Sequence, residues 1–208
     1  NRIPRGKLLD IGCAGGIFLN AARASGFDVQ GVELSSAAAD FARATFQIPV
    51  VTGTIIDARF PDQTFDGVVM ADVLEHLPNP VETLEEVWRI MRQGGLLVIL
   101  SPTQTNTLFS RIGLALYGLL GKNVTIQLPP YHLFEYRPSS LRNLLNRTGF
   151  AVVKESRGTL PPGNVMLRGS ALQRIGKKLF QYLNYALTQA FGILGDRITI
   201  YAIKHDAT

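Results

Sequence analysis

Short apolar runs alternate with segments of helical periodicity along the chain. Residues 7–11 and 29–34 form apolar runs with the length of buried strands, and the segment 15–24 between them repeats apolar residues at helical spacing. A strand, a helix and a second strand in this order predict a βαβ unit with two parallel strands. Further strands are predicted at 50–52, 65–70, 96–100, 150–154 and 198–203, and further helices from a Ser35 or Ser36 cap to Phe46, at 81–92, and between Pro138 and Gly149.

Two of these elements indicate the fold class. The run 96–100 is aliphatic without alternation, which indicates burial on both faces, as in the middle of a parallel sheet. The helix at 81–92 is amphipathic, with an expected buried face of Val81, Leu84, Val87, Trp88 and Met91. Strands and helices that alternate in this way predict an α/β fold with a doubly wound, mostly parallel sheet.

Composition places the chain among globular proteins. Its 208 residues suffice for a substantial core, and the 46% of hydrophobic and 18% of charged residues argue against disorder. No apolar run reaches the roughly 18 residues that a membrane-spanning helix requires. The single cysteine, Cys13, excludes an internal disulfide and fits a reducing compartment, so we expect a cytoplasmic location.

The net charge of +5 is concentrated in two segments, 102–137 and 158–196. We expect a single domain over 1–208, with these two segments inserted as helical caps. Apolar residues recur at helical spacing between Leu172 and Leu194, and we expect this face to cover the ligand cleft or to form a homodimer. The alternative is peripheral contact with a membrane that holds an amphiphilic substrate. The basic residues are too sparse to predict a nucleic-acid partner.

Three glycines follow the first predicted strand, at the edge where parallel sheets bind ligands. Gly12, Gly15 and Gly16 allow a ligand to approach bare main chain, and Asp10 ends the strand at the same edge. About twenty residues later, Glu33 ends the second strand, where a carboxylate can accept hydrogen bonds from the hydroxyls of a ribose. These positions predict a ligand that carries a nucleoside.

The spacing of the glycines argues against a pyrophosphate in that ligand. The dinucleotide fingerprint needs two further glycines after Gly12, at the positions of Ala14 and Ile17. The chain also lacks a phosphate-binding loop of the G-x-x-x-x-G-K-[ST] type. A ligand without phosphate is therefore favoured. The alternatives are an NAD-dependent oxidoreductase, which shares the sheet and the ribose acid, and a cofactor-binding protein without catalysis.

Five stretches resemble the motifs of class I S-adenosylmethionine-dependent methyltransferases, especially the small-molecule branch that includes the ubiquinone and menaquinone methyltransferases. They are "LLDIGCAGGIFL", "GVELS", "FPDQTFDGVVMADVLEHLPNP", "IMRQGGLLVILSP" and "HLFEYRPSSLRNLLNRTGF". The resemblance implies a seven-stranded, Rossmann-like methyltransferase fold, with S-adenosylmethionine as cofactor and S-adenosylhomocysteine as product. It also implies in-line transfer of a methyl group to a small or amphiphilic acceptor, with O-methylation favoured.

The resemblance further implies which residues bind the cofactor. Asp10 would lie near its methionine end, main chain at Gly12, Ala14 and Gly16 would line its amino acid and ribose, and Glu33 would bind the ribose hydroxyls. The other implied cofactor contacts are Leu34, Thr54, Ile55 and Ala71.

Two positions depart from the family pattern. Thr54 stands where the family commonly has an acid that binds the adenine amine, and Asp57 is the alternative for that contact. Ala14 replaces a glycine, and we expect its methyl group to be tolerated if the backbone φ there is not positive.

Two histidines are the candidate catalytic residues. His132 precedes the helix at 138–149, at the edge where the acceptor is expected, and His76 follows the fourth strand. Asp72, Glu75 and His76 resemble a divalent-metal motif of some quinone O-methyltransferases. We expect no metal there, because the same residues pack beneath the site in related enzymes.

Overall fold

The structure, a computed structural model, describes residues 6–103, 107–121, 132–159, 161–162, 170–192 and 195–205. The strands are β1 (Lys7–Ile11), β2 (Asp28–Glu33), β3 (Val50–Thr52), β4 (Phe65–Ala71), β5 (Met91–Pro102), β6 (Phe150–Gly158) and β7 (Arg197–Lys204). The helices are α1 (Ile17–Ala24), α2 (Ser36–Phe46), α3 (Pro80–Ile90), α4 (Leu108–Leu119), α5 (Pro138–Arg147) and α6 (Ala171–Phe191), and a 3₁₀ turn spans Leu74–His76.

The seven strands form one sheet in the order β3-β2-β1-β4-β5-β7-β6. The neighbours from β3 to β5 are parallel, whereas β7 runs antiparallel to both β5 and β6. This confirms the predicted doubly wound, mostly parallel α/β fold. The chain leaves β1 toward β2 on one side and later reaches β4 on the other, so the carboxyl end of β1 is the switch point where such sheets bind ligands.

Helices cover both faces of the sheet because β1 alternates its apolar side chains. Leu8 packs in a cluster with Leu19 of α1 and Ala42 of α2, whereas Leu9 packs in a second cluster with Leu84 of α3. All five of these side chains are buried. The rigid centre of the sheet therefore supports the loops at its carboxyl edge from both sides.

The helix predicted at 81–92 ends two residues earlier, and its buried face is shifted. That face consists of Thr83, Leu84, Val87 and Ile90. Because each residue advances a helix by about 100°, Val81 lies about 130° from the centre of this face, and it is 45% exposed. The predicted burial of Val81 is therefore wrong, whereas Met91 is buried as the first residue of β5.

The long helix α6 packs on the domain through polar residues. Asn184 and Thr188 are buried, and Asn184 Nδ2 donates to Thr159 Oγ1 at 3.5 Å. The apolar side chains that we expected to pack are exposed instead, Leu179 to 72% and Leu183 to 50%. The exposed apolar side fits the homodimer and membrane alternatives, and a cap of this helix over the cleft stays a prediction. Leu172 and Leu194 fall outside the side chains that the structure describes.

Candidate active site

The loop between β1 and α1 requires glycine at both of its ends. Gly12 and Gly16 have φ angles of 75° and 76°, in the left-handed region that glycine tolerates best. A Cβ atom at Gly12 would lie 2.5 Å from Cγ2 of Val73, and one at Gly16 would lie 2.9 Å from Cβ of Ala42. Both positions therefore require glycine, because a side chain would clash with its neighbours and because the backbone φ is positive.

Ala14 shares this left-handed conformation, with a φ of 46°. The condition under which its methyl group was expected to be tolerated, a φ that is not positive, is therefore not met. For a residue with a side chain this conformation costs roughly 1–2 kcal/mol. The Ala14 N–H donates to Glu33 Oε2 at 2.8 Å, and a hydrogen bond to a charged acceptor offsets a cost of this size.

Glu33 links the loop after β1 to the start of α2. Its Oε2 accepts from Ala14, and its Oε1 accepts from the Ser35 N–H at 2.8 Å. Ser35 in turn caps α2, because its hydroxyl accepts from the Ala38 N–H. A carboxylate accepts about four hydrogen bonds, so Glu33 retains capacity for the two hydroxyls of a ribose.

Two cavities meet at Gly12. The larger, about 510 Å³, is lined by Gly12, Glu33, Leu34, Thr54, Ile55 and His76, among others. The smaller, about 370 Å³, is lined by Asp10, Gly12, Ala14, Ala71 and Leu100, among others. Every predicted cofactor residue except Gly16 lines one of them. Gly16 is instead buried at the start of α1.

Thr54, and not Asp57, borders the larger cavity. The Asp57 carboxylate accepts from the Thr54 hydroxyl at 2.6 Å and from the Thr54 N–H at 3.0 Å, which closes a tight turn. The hydrogen bond from the Thr54 hydroxyl holds the pKa of Asp57 below its usual range. These contacts commit Asp57 to the turn, and Thr54 and Ile55 border the cavity there.

Asp10 is a buried carboxyl group in the wall of the smaller cavity. It is 5% exposed, and burial raises its pKa to about 7, with a further contribution from the negative charge of Glu33. A cation in this cavity would stabilise the ionised form. Together with the ribose acceptor at Glu33, this fits a nucleoside that carries a charged amino acid, as S-adenosylmethionine does.

The two candidate catalytic histidines lie side by side. The main-chain oxygen of Glu75 accepts from the N–H groups of Leu133 and Phe134, at 2.9 and 3.1 Å, which docks the segment after His132 on the 3₁₀ turn. The ring centroids of His76 and His132 are 5.0 Å apart. His76 lines the larger cavity, so the pair reaches the cofactor site through His76.

The grouping of possible metal ligands differs from the predicted one. Glu75, His76 and His132 offer ligand atoms within 4.8 Å of one another. Asp72 instead accepts two hydrogen bonds of 3.0 Å from Arg197, at the start of β7. Glu75 is 1% exposed, and burial raises the pKa of its carboxyl group. The prediction that no metal binds here stays a prediction.

A family model described as "Methyltransferase domain" matches residues 1–155. The chain belongs to this methyltransferase family. The cofactor of such methyltransferases is S-adenosylmethionine, which fits the two cavities and the two carboxylates around Gly12. The family match confirms the predicted resemblance and favours it over the NAD-dependent alternative.

Curated relatives of this methyltransferase carry a more specific description. The ubiquinone biosynthesis O-methyltransferase of Burkholderia multivorans is 26% identical over 159 residues, which are 71% of this chain and 66% of the relative. The protein of the same name from an Azoarcus species is 27% identical over 166 residues, 75% of this chain and 69% of the relative. The chain thus spans about two thirds of the length of these relatives.

Solved structures agree with the fold. A S-adenosylmethionine-dependent methyltransferase from Archaeoglobus fulgidus superimposes with a TM-score of 0.65 at 25% identity, covering 97% of this chain and 87% of that one. The [4+2]-cyclase SpnF superimposes with a TM-score of 0.64 at 16% identity, over 97% of this chain and 76% of its own. Because a cyclase shares the architecture, the reaction has to be argued from the site.

Proposed function

We propose that this methyltransferase moves the methyl group of S-adenosylmethionine to a hydroxyl group of a small or amphiphilic acceptor. The observation that carries the proposal is the contact between the imidazoles of His76 and His132, of which His76 lines the cofactor cavity. The O-methyltransferases among the relatives support the same acceptor atom. We expect the reaction in the cytoplasm.

A hydroxyl acceptor explains why a base is needed beside the cavity. Bound S-adenosylmethionine supplies a methyl group on a positively charged sulfur, and in-line attack depends mainly on positioning. A neutral hydroxyl is a weak nucleophile, so a group that takes its proton accelerates the step. Imidazole is the side chain best suited to accept a proton near neutral pH.

The structure supports different roles for the two imidazole rings. His76 lines the cavity and is the ring that an acceptor would meet. His132 lies against it, with Nδ1 3.8 Å from Glu135 Oε2. We therefore propose His76 as the residue nearest the acceptor and His132 as its partner in taking up the proton.

Replacement of these histidines tests the proposal. We expect His76→Asn and His132→Asn each to lower kcat by about 100-fold on phenol and catechol acceptors, because general-base catalysis contributes at least that much. Binding of S-adenosylhomocysteine should change by less than about twofold in the His132 variant. Transfer of a radiolabelled methyl group from S-adenosylmethionine gives the rates.

His205→Asn is the matched control, because this histidine lies just beyond β7 at the opposite end of that strand from Arg197. It should retain full activity. Unchanged rates in both active-site variants, or methylation of amines in preference to hydroxyls, would contradict the proposed function.

A further inference from the structure

Four arginines line a third cavity, of about 460 Å³, outside the cofactor site. Arg111 comes from α4, Arg137 from the residue before α5, Arg142 from α5 and Arg157 from β6. The other lining residues are Leu114, Pro138 and Ser139. The described residues that line this cavity include no acid.

One carboxylate beside the cavity balances only part of this charge. Glu155 accepts from Arg142 at 2.8 Å and from the Nε and Nη2 atoms of Arg157 at 3.3 and 3.1 Å. These contacts orient two of the guanidinium groups and leave an excess of three positive charges among the five side chains. Like charges at close range repel, so a bound anion would stabilise this arrangement.

The guanidinium groups remain accessible to a ligand. The side chains of Arg142 and Arg157 are 49% and 28% exposed, whereas that of Glu155 is 18% exposed. Each guanidinium presents a rigid fork of donors that matches two oxygens of a phosphate. Forks contributed by three different elements suit an anion with several oxygens better than a single carboxylate.

The sheet register places this cavity at the same edge as the cofactor. Ser156 of β6 pairs with Thr199 of β7, and Thr199 pairs with Leu100 of β5. Leu100 lines the smaller cofactor cavity. Neighbouring strands lie about 4.8 Å apart, so the backbone of β6 next to Arg157 lies on the order of 10 Å from Leu100. A molecule of moderate length spans this distance.

We propose that the four-arginine cavity binds a phosphate or diphosphate group of the methyl acceptor. The inference rests on the proposed function and narrows it, because the acceptor becomes a hydroxyl compound that also carries a phosphate. A phosphate monoester carries up to about two negative charges near neutral pH, and a diphosphate carries more, which matches the excess charge of the cavity.

Calorimetric titration with inorganic pyrophosphate tests the site in the full chain. Wild type should bind pyrophosphate, and Arg111→Gln/Arg137→Gln should weaken that binding at least tenfold. Arg147→Gln/Arg174→Gln removes the same charge from exposed positions of α5 and α6 and should change the affinity by less than twofold. No binding by wild type, or an equal loss in the control, would overturn the proposal.

Further probes identify the source of the phosphate. Geranyl diphosphate should bind and geraniol should not, and pyrophosphate should displace geranyl diphosphate. The alternative outcome is that the cavity arginines are needed for binding to phosphatidylglycerol vesicles while the protein has no affinity for the soluble diphosphates. The site then binds lipid headgroups, and the proposal that it binds the acceptor is overturned.

A parallel titration with S-adenosylhomocysteine distinguishes failure of the proposed function from failure of the anion site. All variants should bind it as wild type does, which also shows that they are folded. If wild type fails to bind S-adenosylhomocysteine, the proposed function fails, whatever the arginines do. If it binds S-adenosylhomocysteine but not pyrophosphate, only the anion site fails.

Discussion

At the residue scale, two carboxyl groups determine the loop conformation and the charge of the cofactor site. Glu33 accepts from Ala14 and Ser35 and thereby stabilises a loop whose middle residue has an unfavourable φ. Asp10 lies buried on the neighbouring strand and shifts toward its neutral form. Glu33 thus stabilises the loop that forms the site, whereas Asp10 would ionise more readily with a positive charge bound beside it.

Asp10 makes the stability of the cofactor-free protein depend on pH. Burial raises its pKa from 3.8 to about 7, so the folded protein keeps a proton that the unfolded chain loses. Stability therefore falls as pH rises from about 4 to about 7, and the loss then levels off. Asp10→Asn should become more stable than wild type across this window, by on the order of 1 kcal/mol per pH unit.

Urea unfolding of both proteins between pH 4.5 and 8, without cofactor, measures this difference. Asp28→Asn, at the exposed start of β2, is the surface control. A difference between Asp10→Asn and wild type that stays constant with pH would show that Asp10 does not titrate as described. A cation bound next to Asp10 should reverse the trend in wild type.

At the scale of elements, apolar runs were good predictors of buried strands. The bounds predicted for β1 and β3 coincide with the observed ones, and α2 begins after the predicted Ser35 cap. The strand predicted at 96–100 omits five residues at the start of β5 and two at its end. Residues 92–95 are polar or glycine, and a bulge separates the pairing of Met91 from that of Leu96, so hydrophobicity does not reveal this part of the strand.

The orientation of α6 could not be derived from its periodicity. An amphipathic pattern shows that a helix has two faces, and the usual inference is that the apolar one packs on the domain. Here the domain receives Asn184 and Thr188, and the apolar face, including Leu179 and Leu183, stays exposed. Among the described residues, no helix is both long and apolar enough to span a membrane.

We expect this exposed face to bind an anionic membrane surface, since Lys177 and Lys178 are exposed on the same helix and can contact acidic headgroups. Wild type should co-sediment with phosphatidylglycerol vesicles at low salt, and added salt should release it. Leu179→Ser/Leu183→Ser should lower the bound fraction several-fold, because less apolar surface is buried.

Ala171→Ser/Ala186→Ser, at exposed positions of the same helix, is the control and should bind like wild type. Absence of binding at low salt would contradict the membrane assignment. If the leucine variant changes the oligomeric state in light scattering instead, the face is a homodimer interface.

At the scale of the whole molecule, the topology followed from the order of elements, but the contacts between distant segments did not. His76 meets His132 because the Glu75 carbonyl docks the segment 133–134, and no local pattern encodes that contact. Arg197 reaches Asp72 because β7 returns antiparallel to β5. Likewise, the four-arginine cavity combines residues from α4, α5 and β6.

The cofactor cradle was more predictable because its parts lie at the ends of neighbouring strands. Chain order and the switch-point rule place the end of β1 beside the end of β2, so the glycine loop and Glu33 had to meet. The details that differ, the φ of Ala14 and the turn held by Asp57, depend on hydrogen bonds that form only in the folded loop.

Calorimetric titration with S-adenosylhomocysteine tests the central claim, that Glu33 and the loop after β1 hold an unphosphorylated nucleoside cofactor. Wild type should bind one equivalent and should bind NAD more weakly. Glu33→Gln should weaken binding at least about tenfold, because hydrogen bonds to a charged acceptor are lost, while the exposed control Glu85→Gln stays unchanged. No binding of S-adenosylhomocysteine by folded wild type, or tighter binding of NAD, would contradict the account.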